Sequence, residues 1–226
     1  KEWGATVLTK TEFVAATSQG DRGWDVTLRG GCEETVSARA IVNAAGPWVN
    51  GVAERIRPAP ETRPIDLVQG AHVVVPGSPG DSIYYLEAPS DGRAVFAMPW
   101  GSDTLVGTTE TVHTGSPETA APTPEEERYL LDVFTHYFPA HANGGEPAVL
   151  GSFAGLRVLP ATGDSPFRRS RETGIVLDCA SGAPCVSIYG GKLTTWRVAA
   201  SRVLDRLVAT GALGLKEPRE PEPSLD

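Results

Sequence analysis

The sequence predicts a chain of mixed α+β and α/β character, mostly strand with two clear helices, on three observations. Short runs of alternating apolar and polar residues recur between turn-rich breaks, the clearest being "GWDVTLRGG", where Trp24, Val26 and Leu28 alternate with Asp25, Thr27 and Arg29. Two segments carry apolar residues at helical spacing, Thr123–Phe138 and roughly 193–208. One buried run, Ala40–Asn43, leads into Ala44, Ala45 and Gly46 with Pro47 behind them. Small residues at such a place let another backbone or a ligand come close, as beyond the carboxyl ends of strands in α/β sheets.

Taken in order, residues 5–17, 23–30 and 35–43 read as strands of a small antiparallel meander, joined through polar turns at Gln19–Arg22 and Gly30–Glu34. The apolar run Leu67–Pro76 holds Gly70 and His72. "SIYYLEAP", "RAVFAMPWG" and "TLVGTTE" follow as successive strands separated by turn-forming residues. The first helix opens with Thr123 as its cap, Pro124 at its first position and glutamates in its first turn, and presents Leu130, Leu131, Phe134 and Phe138 on one face. "AVLGSFAGLRVLPATGDSP" supplies a further strand, and "GIVLDCASGAPCVSIYG" a hairpin. The last helix has Leu193, Trp196, Ala200, Val203, Leu204 and Leu207 as its apolar stripe. No period of 20–50 residues recurs, so solenoid architectures are excluded.

Composition narrows the function classes. With 226 residues and 40% apolar content the chain can fill a core, while 25 glycines and 19 prolines call for many turns. A net charge of −8 argues against a nucleic-acid footprint, yet leaves room for a small anionic substrate in a locally positive pocket. No stretch is long and apolar enough for a membrane-spanning helix, and no leader pattern opens the chain. Cys32, Cys179 and Cys185 form neither an even disulfide framework nor a metal-ligand spacing, and read as small residues in a reducing, cytoplasmic compartment. The chain starts without Met, almost directly in a strand pattern, and is expected to be a fragment; residues 211–226, Pro/Glu-rich from Lys216 onward, are expected to be a disordered tail.

Several residues have the chemistry of a site. Gly190 and Gly191 precede a helix start, where glycine permits close backbone approach and unpaired N–H groups favour a negative or electron-rich partner; Lys192 adds a charge, Thr194 and Thr195 hydroxyls. A cofactor edge or an anionic substrate explains this cluster, and a tight turn with Thr194 capping a helix is the alternative. "NAAGPW", Asn43–Trp48, suits cofactor approach or a simple Gly–Pro turn. Arg157, inside an apolar run, calls for an anion or an internal carboxylate. His72 on its strand is a candidate acid or base, or a satisfied structural histidine. "GTTE", Gly107–Glu110, either hydrogen-bonds a ligand or ends a strand in a capped turn, and "FRRSRE", Phe167–Glu172, is a solvated loop or a phosphate site. His113, His136 and His141 show no metal-ligand spacing, so no metal is expected.

Five segments in order, "NAAGPW", "LVQGAHVVVP", "LVGTTE", "GSFAGLRVLP" and "SIYGGKLTTWR", resemble the FAD-dependent glycerol-3-phosphate dehydrogenases of the D-amino-acid-oxidase-like flavoproteins, over about residues 5–210. The resemblance implies a partial FAD-binding domain with its β-meander over 1–58, a substrate-binding domain on a mostly antiparallel sheet over 59–150, and a return to the FAD-binding domain over 151–210. It implies oxidation of sn-glycerol 3-phosphate to dihydroxyacetone phosphate, with hydride transfer to FAD and electrons passed to a quinone, in glycerol metabolism. It assigns His72 as the base, Arg157 and Lys192 to catalysis and substrate binding with Thr195 beside them, and Ala45, Gly46, Pro47, Trp48, Gly190, Gly191, Lys192, Leu193 and Thr194 to the cofactor. Peripheral contact with the cytoplasmic membrane face and a homodimer remain open for the parent protein. The family's GxGxxG unit and C-terminal helical domain are missing from this sequence, so the fragment is expected to bind FAD weakly or not at all and to be inactive alone. The alternatives are a flavoenzyme of the same fold acting on an amino acid or hydroxy acid, and a non-catalytic sheet-rich binding module.

Overall fold

In the computed structural model, residues 4–31, 33–142, 145, 147–161 and 172–214 are described. The tail from residue 215 on, Cys32, and Phe167–Arg171 of the arginine-rich loop lie outside them. Two units divide the chain: residues 1–64 with 171–226, and residues 65–170.

In the first unit the meander forms as its alternation dictates. Strands β1 (Glu12–Ser18), β2 (Trp24–Arg29) and β3 (Glu33–Ala38) pair antiparallel, and β5 (Ile56–Arg57) adds to β1 in parallel. The expected strand over 35–43 is two elements, because its last residues turn away as β4 (Ile41–Asn43) into another sheet. There β12 (Gly174–Asp178) and β13 (Cys185–Tyr189) make the expected hairpin, and β4 joins β13 in parallel, Asn43 opposite Ser187. Trp24 is buried against this hairpin and donates its indole N–H to the Pro184 carbonyl at 3.0 Å, which satisfies the one polar atom of a large apolar side chain. A short helix α1 (Val49–Ala53) follows the Gly46–Trp48 turn; five residues are too few to show a helical period in the sequence.

The second unit is one six-stranded antiparallel sheet with a helix on one face. Its spine is β6 (Ile65–Val75), flanked on one edge by β11 (Gly151–Pro160) along ten residues, and on the other by β9 (Asp103–Gly107) and the short β10 (Thr111–His113). Beyond β9 come β8 (Ala94–Trp100) and β7 (Tyr84–Glu87). The expected return to the first unit at residue 151 is therefore corrected: the ladder of β11 with β6 keeps that strand in the second unit, whose boundary falls after residue 170.

Helix α2 (Pro124–Tyr137) starts as predicted. Thr123 and Glu126 form a reciprocal capping box with Pro124 at the first position, a device that stabilises a helix start by about 1 kcal/mol. Its Leu130, Leu131, Val133 and Phe134 are buried against Ala71, Val73, Val75, Val95, Ala97 and Val106 of the sheet. Each such side chain contributes about 1.5–3 kcal/mol on leaving water. Since side chains alternate along a strand, the other face of β6 carries Gly70, His72 and Val74.

In the first unit α3 (Trp196–Ala209), preceded by a 3-10 turn over Leu193–Thr195, buries Val203 and Leu207 on Ile175 and Val186. The expected apolar stripe is only partly used. Leu193, Trp196 and Leu204 are 87%, 63% and 53% exposed, because the hairpin meets the helix along the Val203–Leu207 edge alone.

Candidate functional site

Two clusters carry the predicted site residues, one in each unit. In the first, Asn43–Trp48 and Gly190–Thr195 follow directly on β4 and β13. These strands are parallel neighbours, so both segments leave from the same carboxyl end of one sheet. Asn43 is buried and does local work: its amide donates to the Val49 carbonyl at 2.8 Å, and its oxygen accepts the Ala45 N–H at 3.3 Å. Gly46, Gly190 and Gly191 have φ of 55°, 68° and 92°, in the left-handed region that disfavours other residues. Nothing lies within 4 Å of where a Cβ on Gly46 would stand. Gly191 is needed for a local reason, since a Cβ there would come within 2.6 Å of Thr173 Oγ1.

The Lys192 side chain is exposed, as are Leu193, Thr194 and Thr195. Thr195, whose hydroxyl donates to the Lys192 carbonyl at 3.0 Å, stands at the cap position of α3, and no side chain caps that helix. The alternative of Thr194 as its cap is thereby removed. Ala45 and Pro47 are half-buried and Trp48 is 45% exposed. Backbone freed by glycine, with apolar surface at its rim, is a surface that a cofactor edge can approach closely.

The second cluster stands on the face of the second unit opposite α2. His72 lies between Phe153 on β11 and Gly107 on β9, its partners in register. Its ring stacks on Phe153 with centroids 5.1 Å apart and planes 10° from parallel. On the other side the ring occupies the volume of an absent side chain: a Cβ on Gly107 would be 2.1 Å from His72 Cδ2. Gly70 serves Arg157 in the same way, for its missing Cβ would sit 2.8 Å from both terminal guanidinium nitrogens and 2.5 Å from Thr108 Oγ1. The glycines of "QGAH" and "LVGTTE" thus clear space for an imidazole and a guanidinium on one sheet face.

Burial lowers the pKa of His72 from its ordinary 6.5, and the Arg157 charge lowers it further against a weaker upward pull from the Gly70 backbone. Both effects favour the neutral ring. Its Nδ1 is buried, and apart from the Gly70 backbone beside it no described residue gives it a hydrogen-bond partner. Arg157 donates to the Thr109 carbonyl and to Thr108 Oγ1, both at 3.4 Å, and lies 3.9 Å from Glu110 Oε1. An internal carboxylate is thus near this arginine, and its side chain stays 29% exposed.

Sequence reasoning missed how "GTTE" divides. Thr108 faces the arginine, whereas Thr109 is buried, accepts the Ala71 N–H at 2.9 Å and donates to Glu126 Oε1 at 2.7 Å. A buried Thr109 beside a capping glutamate leaves no signal in the sequence, since their contact depends on the sheet register. Among the described residues no group of three or more His, Cys, Asp or Glu could hold a metal ion.

Comparison with known proteins places the chain in a family. The sequence pattern of the family described as FAD dependent oxidoreductase matches residues 1–197. The chain is 36% identical over 211 residues to the D-erythritol 1-phosphate dehydrogenase of Brucella abortus, covering 91% of this chain and 41% of that protein. It is 35% identical over 211 residues to a glycerol-3-phosphate dehydrogenase of Pseudomonas aeruginosa, covering 92% and 41%. The glycerol-3-phosphate dehydrogenase of Bacillus halodurans, solved with FAD, superposes with a TM-score of 0.77 at 29% identity, over 95% of this chain and 41% of that one. The chain belongs to the FAD-dependent oxidoreductase family. It spans 41% of the length of each of these relatives.

Proposed function

We propose that this chain forms the substrate-facing part of an FAD-dependent dehydrogenase that oxidises sn-glycerol 3-phosphate at C2 to dihydroxyacetone phosphate. The observation that carries the reading is an imidazole and a partly exposed guanidinium on one sheet face, in space cleared by Gly107 and Gly70. Oxidation of a secondary alcohol needs a base for the hydroxyl proton and a cation for charge developing on oxygen. His72 takes the proton, and Arg157 holds the phosphate or the carbinol oxygen. FAD, when bound, supplies the acceptor for the hydride. Ala45–Trp48 and Gly190–Thr194 would line its edge. In this reading residues 1–64 and 171–226 serve the cofactor and residues 65–170 the substrate.

A quinone is the electron acceptor in this account, and the enzyme is cytoplasmic with peripheral contact to the membrane. No helix among the described residues is long and apolar enough to cross one. The Brucella abortus relative favours a second reading, in which the substrate is D-erythritol 1-phosphate. Both substrates join a phosphate to a polyol and make the same demand on Arg157.

The test is anaerobic reduction of the flavin-loaded enzyme by glycerol 3-phosphate, D-erythritol 1-phosphate and a hydroxy acid, each mixed separately. Fast reduction by the first supports the main reading, and fast reduction by the second alone selects the other. Reduction by the hydroxy acid alone removes both.

A further inference from the structure

Glu126 is a buried carboxylate on the far side of the sheet from the substrate face, where a helix cap alone does not call for so many partners. It is 5% exposed and receives Gln69 Nε2 at 2.6 Å, the Thr109 hydroxyl at 2.7 Å and the Thr123 N–H at 3.1 Å. Thr109 is 3% exposed and bonds to the backbone of β6 twice: its hydroxyl accepts the Ala71 N–H at 2.9 Å, and its own N–H donates to the Ala71 carbonyl at 3.4 Å. Ala71 stands between Gly70, over which the Arg157 guanidinium lies, and His72. The Thr109 carbonyl, on the other side of the same residue, accepts from Arg157.

We propose that Glu126 and Thr109 are positioning residues for the site: the capping carboxylate of α2 anchors the Thr109 hydroxyl, and Thr109 in turn sets the carbonyl that holds Arg157 and the segment of β6 that carries His72. A charge-assisted hydrogen bond between buried groups is short and directional, so the link transmits position rather than charge. The two threonines divide the work: the Thr109 hydroxyl donates to Glu126, and the Thr108 hydroxyl accepts from Arg157.

The kinetic arm of the test rests on Arg157 binding the substrate phosphate; the spectroscopic arm does not. Thr109→Val keeps the shape and removes the hydroxyl. In the flavin-loaded enzyme it is expected to lower kcat/KM for glycerol 3-phosphate about 10-fold, the scale of one good hydrogen bond, mainly through KM. In an Arg157→Gln background the further loss should be smaller, since only the route through the β6 segment of His72 is left. Thr109→Ser should restore most of the loss.

The second readout is the His72 titration by NMR. Release of Arg157 removes a nearby positive charge and moves that titration to higher pH. A folded Thr109→Val protein with wild-type KM and an unmoved His72 titration overturns the proposal. Should Thr109→Val not fold, Glu126→Gln takes its place, because the amide keeps an acceptor for the cap while facing Thr109 with a donor. An unmoved titration there overturns the proposal equally. An enzyme that ignores glycerol 3-phosphate would end the reaction proposed above, while the titration would still decide the relay.

Discussion

Replacing Gly107 by alanine places a methyl group where the His72 imidazole now lies. The new Cβ would stand 2.1 Å from Cδ2 and 2.7 Å from both Cγ and Nε2, and no real Cβ contact is that short. Cγ is the root of the ring, so a rotation about the Cβ–Cγ bond cannot relieve the clash. The imidazole has to leave its place between Gly107 and Phe153 and give up a stack at 5.1 Å. Overpacking of this kind costs about 1–3 kcal/mol, and loss of the stack about 0.5–1.5 kcal/mol. The activity cost is larger, since a displaced general base forfeits about 10²–10⁴ in rate. Thermal unfolding with steady-state kinetics separates the two: a modest loss of melting temperature should accompany a loss of kcat of at least 100-fold. A Gly107→Ala enzyme with wild-type kcat would refute the placement of His72 as the base.

Gly70→Ala should show the opposite balance. Its methyl meets the mobile end of Arg157 and the Thr108 hydroxyl, so unfolding moves little while KM for the phosphate substrate rises about 10-fold, as for one charge-assisted contact. The pH dependence of kcat/KM should fall on the acid side with a midpoint below 6.5, because burial and Arg157 both depress the His72 pKa; Arg157→Gln should shift that midpoint upward. The same depression makes the folded state bind fewer protons than the unfolded chain below pH 6.5, so His72 subtracts stability as pH falls from there to its folded pKa, and His72→Gln should remove that part of the acid slope in denaturant titrations. Burial pushes the Glu126 pKa up, but hydrogen bonds from Thr109, the Thr123 N–H, Thr111 and Gln69 outweigh it and hold the carboxyl below its ordinary 4.5. That stability is complete above pH 4.5 and is lost as pH falls through the folded value, a loss Glu126→Gln should abolish.

Local rules made part of this molecule legible in advance. Thr123, Pro124 and Glu126 announce the start of α2 because capping acts within four residues, and the alternation from Trp24 to Arg29 announces β2 because one face of it is buried. The glycine-rich ends after Asn43 and Tyr189 stand out in the sequence, but their shared sheet end depends on the parallel pairing of β4 with β13, which no local pattern encodes. The choice of sheet for β11 was hidden for the same reason: its apolar run suits either unit, and only the ladder to β6 decides. In the sequence Gly70 is only a glycine within an apolar run, and Gly107 only the first residue of a strand end. Their purpose emerges once Arg157 and His72, from neighbouring strands, fill the space they leave. The outward Trp196 and Leu204 show a limit of periodicity, which marks an apolar face without naming what meets it.

The most direct test of the central claim is rapid anaerobic mixing of glycerol 3-phosphate with the flavin-loaded enzyme, wild type beside His72→Asn and Arg157→Gln, with flavin absorbance as the signal. The account predicts prompt bleaching in the wild type, bleaching slowed at least 100-fold at saturating substrate in His72→Asn, and a much higher substrate requirement in Arg157→Gln. Bleaching at the wild-type rate and the wild-type substrate concentration in both variants would contradict it.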